Sequence, residues 1–148
     1  MSVLVDYRKA RANYEILETV EAGIELLGLE AKSLKAGRGS LDGSHVLIRG
    51  GEAYLVNMLI PPYQEKNTPP SYEPRRNRRL LLTRAEIGRL ADQAESRGLT
   101  IVPISIYNKS KLIKVSVAVV RGRKQYDKRE VIKRRETDRA VRREFRDR

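Results

Sequence analysis

Residues 111–130 read KLIKVSVAVVRGRKQYDKRE, and the two halves of this stretch predict different structures. In the first half, Val115, Val117 and Val119 alternate with polar residues, which predicts a half-buried β-strand. From Arg121 onward the residues are dominated by charge and cannot build a hydrophobic core. The sequence therefore predicts a compact domain over residues 1–120 and a basic C-terminal tail over residues 121–148.

Positive charge is concentrated in the predicted tail. Residues 121–148 contain 13 Lys or Arg and 6 Asp or Glu, a net of +7 out of the +12 of the whole chain. A charge run at a chain end is usually a solvated tail. This density nevertheless favours a polyanionic partner, because each neutralised phosphate releases counterions and adds to affinity. A membrane surface is the poorer alternative, since the tail offers only scattered apolar residues such as Ile132 and Phe145.

Length and composition limit the class of protein. A chain of 148 residues fits one domain with a real core. It has no Cys, which excludes a disulfide framework and fits a reducing cytoplasm. The N-terminus shows no hydrophobic run of signal-peptide length, and no stretch approaches the ~18 apolar residues of a membrane span, so we expect no membrane association.

The N-terminal half predicts a basic arm, strands and a short helix. Its segments are, in chain order, a basic arm over the first dozen residues, a strand over residues 14–21, a turn or bulge at Ala22-Gly23, a second strand over residues 24–29, and a helix over residues 30–36 that ends at Gly37. The Gly50-Gly51 pair predicts a tight turn between strands at residues 44–49 and 52–58.

The C-terminal half predicts a loop, a helix and a long hairpin. Residues 64–79 are rich in Pro and Arg, and a loop of this length is typically functional or mobile. Thr83 and Glu86 have the spacing of a capping box, which predicts a helix from there towards Gly98. Residues 99–107 and 111–120 predict the last hairpin, with its turn at residues 108–110. About six short antiparallel strands with two or three helices predict a small closed β-barrel.

The sequence offers little for catalysis. His45 is the single histidine, and its place in an alternating strand indicates a surface residue. No cluster has metal-ligand spacing, and no Gly-rich loop ends in Gly-Lys-Ser/Thr. Carboxylates such as Glu21 and Glu30 could hold Mg²⁺ for a nuclease, but the sequence does not show that they converge. We therefore expect no enzyme activity, cofactor or metal.

The start of the tail has the composition of an RNA-binding segment. Tyr126 provides a stacking surface within the basic residues 123–129. Pairs such as Glu130 with Arg134 permit a helix, but each stabilises it by only ~0.2–0.5 kcal/mol. We therefore expect the tail to be disordered when free and to fold on a partner.

Several ordered blocks resemble the small protein B family, the SsrA-binding proteins of bacterial trans-translation. The blocks are Tyr14–Ile16, Glu21–Ile24, Lys32–Gly37, Arg78–Leu82, Gly98–Pro103 and Arg121–Glu130. The resemblance implies an antiparallel β-barrel of oligonucleotide-binding type. It also implies a non-catalytic adaptor that binds the tRNA-like domain of transfer-messenger RNA and delivers it to stalled ribosomes. A generic ribosomal RNA-binding protein fits the composition equally well, but not the order of the blocks.

The resemblance also implies roles for individual residues. The RNA-binding set is Glu21, Lys32, Leu81, Thr83, Gly122, Arg123 and Lys124. The set expected at the decoding centre and along the mRNA channel of the small ribosomal subunit is Tyr126, Asp127, Lys128, Arg129, Lys133, Arg134, Arg135 and Phe145. The implied partners are transfer-messenger RNA, the small subunit and, indirectly, elongation factor Tu, for a protein expected to be a monomer in the cytoplasm.

Overall fold

The computed structural model describes residues 2–122. Its strands are β1 (Ser2–Asp6), β2 (Tyr14–Ile24), β3 (His45–Arg49), β4 (Glu52–Val56), β5 (Arg78–Leu81), β6 (Leu99–Lys109) and β7 (Leu112–Gly122). Its helices are α1 (Arg8–Asn13), α2 (Gly28–Lys35) and α3 (Arg84–Glu95), with one 3-10 turn at Glu65–Asn67.

The seven strands form one antiparallel sheet in the order β1-β6-β7-β2-β5-β4-β3. The sheet curls around the main core, and β3 lies against β6 across it. Within the described residues, the edge strands β1 and β3 are not hydrogen-bonded to each other, so the ladder itself stays open. The predicted small antiparallel β-fold of oligonucleotide-binding type, with its helices, is confirmed. The predicted closure of the barrel is wrong, because no ladder joins the two edge strands within the described residues.

Alternation along β7 decides which side chains enter the core. Val115, Val117 and Val119 are buried in the main core, as the sequence predicts. Ala118 and Val120 point to the other face, where Ala10 of α1 covers them in a second, smaller core cluster. Towards the β6–β7 turn that outer face has no helix over it in the described part of the chain, and it carries polar residues.

The predicted turn or bulge at Ala22-Gly23 is wrong, because the pairing of β2 with β7 is regular there. Strand β2 continues to Ile24, and Gly23 pairs with Lys114 on one side and Leu81 on the other. A Cβ on Gly23 would lie 3.2 Å from the Cβ of Leu81. Any larger residue would crowd Leu81 where β5 passes close to β2, so this glycine serves close strand packing, which in a sequence looks the same as a turn signal.

The predicted strand over residues 24–29 is also wrong beyond Ile24, because α2 begins at Gly28. The carboxylate of Glu30 accepts a hydrogen bond from the Leu27 N–H at 2.8 Å and so caps the start of this helix. The helix ends as predicted, with Gly37 at a φ of 78°. A carboxylate cap three residues inside a helix that lacks a Ser or Thr at its start is easily missed.

The N-terminal arm and the last turn differ from their predictions as well. The first dozen residues form β1 and most of α1, because Val5 and Ala10 are buried by contacts that local sequence does not show. The β6–β7 turn lies at Ser110 and Lys111, which both have positive φ, so it is displaced from residues 108–110. The β3–β4 hairpin with Gly50 and Gly51 at its turn is confirmed, as is the capping box of α3.

Candidate nucleic-acid interface

Near the β6–β7 turn, one region of the outer sheet face gathers charged, aromatic and apolar side chains, of which Glu21, Leu81 and Lys109 are exposed. We call it the outer patch; it consists of Glu21, Leu81, Tyr107, Lys109 and Lys114. The strand register explains the gathering, because Glu21 pairs with Ser116 across β7 while Tyr107 pairs with Lys114 on its other side. These residues belong to four strands that are far apart in sequence.

The centre of the outer patch is a hydrogen-bonded carboxylate. The hydroxyl of Tyr107 donates to Glu21 Oε2 at 2.5 Å. Lys109 Nζ lies 3.2 Å from both carboxylate oxygens. The hydrogen bond from Tyr107 and then that from Lys109 lower the pKa of Glu21, so this carboxyl is ionised at neutral pH. Burial, followed by the hydrogen bond to Glu21, raises the pKa of Tyr107 to about 12, which keeps its hydroxyl a donor.

Leu81 provides the apolar part of the outer patch. Its side chain lies over Gly23, which is two residues from Glu21 on the same face of β2, and it remains 45% exposed. An exposed leucine beside lysines is the kind of group that contacts a base or a ribose while the lysines contact phosphates.

Leu81 and Thr83 also line one groove of about 450 Å³, which runs from Gly51 at the β3–β4 turn to Arg84 and Glu86 at the start of α3. The Thr83 hydroxyl oxygen accepts a hydrogen bond from the Glu86 N–H at 3.2 Å, so Thr83 caps the helix. The side chain is exposed, and its hydroxyl proton is directed to no partner within the described residues. Thr83 can therefore cap α3 and still donate to a ligand in the groove.

The remaining predicted residues of the RNA-binding set are not part of the outer patch. Lys32 lies on α2 beside a separate cavity of about 230 Å³ that Tyr63, Asn67 and Thr68 help to line. Gly122 ends β7 opposite Tyr14, six residues from Ser116, which is about 20 Å along a strand. The other predicted residues lie outside the described residues: Arg123, Lys124, Tyr126, Asp127, Lys128, Arg129, Lys133, Arg134, Arg135 and Phe145.

Sequence reasoning missed Tyr107, Lys109 and Lys114. Alternation along the last hairpin places Tyr107 and Lys109 on one face of β6 and Lys114 on the facing side of β7. That signal was present in the sequence. What was absent was the register with β2, which brings Glu21 to the same place.

A second cluster holds the long segment before β5. Glu30 and Arg78 are fully buried, with the Arg78 Nε 2.7 Å from Glu30 Oε2. Arg76 also pairs with Glu30, and the Tyr72 hydroxyl donates to Glu30 Oε2 at 3.1 Å. Burial by itself raises the pKa of Glu30, but the hydrogen bonds from Arg76 and Leu27 and the charge of Arg78 outweigh it and lower the pKa. The basic residues before Leu80 thus include a structural arginine.

The described residues also test three alternatives to RNA binding, namely a catalytic histidine, a metal site and a membrane span. His45 is exposed on β3, as predicted for a surface histidine. Between residues 2 and 122, no three His, Cys, Asp or Glu side chains come close enough together to hold a metal ion. No helix within that range is long and apolar enough to cross a membrane.

A small antiparallel β-fold that presents lysines, a hydrogen-bonded carboxylate and an exposed leucine on one open face is typical of the nucleic-acid-binding class. Comparison with known proteins identifies the family. The family model described as SmpB protein matches residues 4–147, and this chain therefore belongs to the SmpB family.

Individual relatives agree with this assignment. The chain is 49% identical over 141 residues to the SsrA-binding protein of Gloeothece citriformis, covering 95% of this chain and 91% of that one. It is 49% identical over 138 residues to the SsrA-binding protein of Chlorobaculum tepidum, covering 93% and 87%. A solved structure described as "tmRNA-SmpB: a journey to the center of the bacterial ribosome" has a TM-score of 0.68 and 45% identity, covering 81% of this chain and 84% of that one.

Proposed function

We propose that this protein is a non-catalytic adaptor that binds transfer-messenger RNA and delivers it to stalled ribosomes for trans-translation. The observation that carries the proposal is the outer patch, in which Glu21, Leu81 and Lys109 are exposed side by side. Membership in the SmpB family supports the choice of RNA, as do relatives named SsrA-binding protein and a neighbour solved with transfer-messenger RNA.

The outer patch and the adjoining groove make different contacts with the RNA. Lys109 and Lys114 contact phosphates, Leu81 packs on a base or ribose, and Thr83 donates a hydrogen bond from the groove. Lys32 on α2 and the segment Gly122, Arg123 and Lys124 provide further contacts at the positions that the family resemblance indicates. The bound part of the RNA is its tRNA-like domain.

On the ribosome, the tail makes the contacts with the small subunit. The tail, residues 121–148, enters the decoding centre and mRNA channel of the small subunit and becomes helical there, with Tyr126 and Asp127 at the decoding centre. Elongation factor Tu is an indirect partner through the shared RNA. The protein acts as a monomer in the cytoplasm.

The first test is a gel-shift titration with transfer-messenger RNA at near-physiological salt, with an equal excess of tRNA as competitor. We expect tight binding that survives the competitor. Leu81→Ala should weaken this binding, whereas Leu47→Ala, an exposed leucine on β3 outside the patch, serves as the matched control. Equal competition by tRNA would mean that positive charge acts alone, as in a generic ribosomal RNA-binding protein.

The division between domain and tail has its own test. Replacing Asp127 and Lys128 together by Ala should leave the RNA affinity nearly unchanged and abolish peptide tagging in a reconstituted translation reaction. If RNA binding and tagging fall together, the tail also holds the RNA and the division is wrong.

A further inference from the structure

The Glu21 carboxylate has two partners that differ in how firmly they are fixed. Tyr107 is 9% exposed, so its ring is held by packing and its hydroxyl has little freedom. The Lys109 side chain is 51% exposed at the end of a flexible stem. The bond from Tyr107 is 2.5 Å, whereas Lys109 lies at 3.2 Å from both oxygens. The tyrosine therefore sets the orientation of the carboxylate, and the lysine is exchangeable.

The hydrogen-bonding capacity of Glu21 leaves room for a third partner. An ionised carboxylate has about four acceptor positions and no donor. Tyr107 occupies one position on Oε2, and Lys109 spans both oxygens. If Lys109 turns to a phosphate, Oε1 becomes free while Tyr107 still holds Oε2.

A fixed, ionised carboxylate in a basic patch selects the groups that can approach it. It repels phosphates and accepts only from donors, which in RNA are base N–H groups and the 2′-hydroxyl. It therefore works against unspecific backbone binding, which the neighbouring lysines favour. Its orientation then decides whether the donor is reached at hydrogen-bond distance.

We propose that Tyr107 is a positioning residue for RNA recognition: it fixes the Glu21 carboxylate so that Oε1 accepts a hydrogen bond from a base N–H or 2′-hydroxyl of the RNA while Lys109 moves to a phosphate. This inference rests on the proposed function, because it deepens the role of the same patch. It assigns to Tyr107 and Lys109 roles that the sequence analysis did not give them.

The experiment compares the full-length protein with Tyr107→Phe, Glu21→Gln and the double variant, each titrated with transfer-messenger RNA and with tRNA. The matched control is Tyr54→Phe, since Tyr54 is a half-buried strand tyrosine outside the patch. We expect each single variant to lose roughly tenfold in affinity for transfer-messenger RNA, the size of one hydrogen bond to a charged group. The affinity of the double variant for transfer-messenger RNA should be little lower than that of the single variant that binds less tightly, because both changes remove the same interaction. Affinity for tRNA should change much less.

Two further readouts separate positioning from mere packing. The groups facing Glu21 are Tyr107 and Lys109 of β6 and Lys114 of β7. Carboxyl NMR titration should therefore show a higher pKa for Glu21 in Tyr107→Phe than in the unchanged protein, and no change in Tyr54→Phe. Transfer-messenger RNA with 2′-deoxy substitutions, or with bases that lack an exocyclic amino or a ring N–H donor, should show which donor meets Glu21, as a loss of affinity that Glu21→Gln no longer shows.

The outcomes distinguish a failure of the proposed adaptor function from a failure of the positioning role of Tyr107. If the unchanged protein does not prefer transfer-messenger RNA to tRNA, the proposed function fails. If it does prefer it and Tyr107→Phe binds equally well, or loses the same factor for both RNAs together with a lower Tm, Tyr107 is only a packing residue and the inference is wrong. If neither set of RNA substitutions affects binding, Glu21 accepts no hydrogen bond from RNA, which also overturns it.

Discussion

Glu21 and Glu30 each accept a hydrogen bond from a tyrosine and pair with basic side chains, but they lie in opposite environments. Glu30 and its partner Arg78 are fully buried, whereas Glu21 and Lys109 are exposed to solvent. In both cases the interactions lower the pKa of the carboxyl. The same chemical group thus serves two purposes: inside, it fixes the chain, and outside, it presents a charge that can change partners.

Burial explains the difference. Removing one member of a buried ion pair leaves an uncompensated charge, which is strongly destabilising, whereas exposed pairs contribute little. The Glu30 cluster therefore orders the segment between β4 and β5: Arg78 donates to the carbonyls of Met58 at 2.7 Å and Pro74 at 2.9 Å. The Glu21 group links side chains of β2 and β6, which the sheet already joins through β7, so its effect should appear mainly in binding.

The largest expected effect comes from breaking the buried cluster. Glu30→Ala leaves Arg78 buried without its counter-charge and removes the cap of α2, so it should lower the free energy of unfolding by about 3–5 kcal/mol. Urea unfolding followed by circular dichroism measures this change, with Glu25→Ala, which removes an exposed partner of Arg79, as the control. A loss no larger than that of the control would remove the distinction between the two glutamates.

The loss of folding stability at acidic pH gives a second comparison of Glu30 with Glu21. Because the pKa of Glu30 is lower in the folded state, its contribution to stability is present above its ordinary pKa of about 4.5 and disappears as pH falls through the folded value. Unfolding midpoints measured between neutral and strongly acidic pH should therefore fall less steeply in Glu30→Gln than in the unchanged protein. Glu21→Gln should follow the unchanged protein closely, since the Glu21 carboxylate and its charged partner Lys109 are both exposed to solvent. If the unfolding midpoint became equally insensitive to pH in both variants, the distinction between the buried and the exposed glutamate would be wrong.

Thr83 has both a structural role, as the cap of α3, and a proposed binding role, as a hydroxyl donor in the groove. Thr83→Ala removes the cap of α3 and should lower the free energy of unfolding by about 1 kcal/mol. It should also weaken RNA binding, because the hydroxyl donor in the groove is lost. Thr83→Asn, which retains a capping group, should recover the stability, so melting and gel-shift titrations of the two variants separate capping from binding. Full recovery of stability by Asn with no RNA effect in Ala would limit Thr83 to its cap.

The smallest expected effect on folding belongs to the exposed lysine. Lys109→Met should leave the unfolding transition unchanged within the scatter of the measurement, because the ammonium is exposed. Its RNA affinity should fall, and the salt dependence of binding should decrease by about one unit of slope for the lost phosphate contact. An unchanged slope would show that Lys109 does not reach a phosphate, and the exchange of partners at Glu21 would lose its basis.

Local signals predicted the elements that depend on neighbouring residues. Gly50 and Gly51 predicted the β3–β4 turn, Thr83 and Glu86 predicted the start of α3, and the valines of β7 predicted a half-buried strand. These succeed because turn geometry, helix capping and strand alternation are set within a few residues.

Errors arose where a distant segment decides the conformation. Gly23 looks like a turn residue, but it lies within a strand, and a side chain there would crowd Leu81 of another strand. The role of Arg78 depends on Glu30, which lies 48 residues away in sequence. The start of α2 is a different kind of error, because its cap from Glu30 to Leu27 is local but lacks the usual Ser or Thr. A buried ion cluster has no local periodicity, so the sequence showed only a basic loop.

The sequence by itself determined the antiparallel β-fold, the position of the positive charge and, through its ordered blocks, the family. Only the tertiary structure decided which side chains work together. It placed Tyr107 and Lys109 against Glu21, left Lys32 on another surface and buried Arg78. The physical reason is that composition and periodicity act along the chain, whereas strand register and the cost of burying a charge are settled between segments that meet only when the chain has folded.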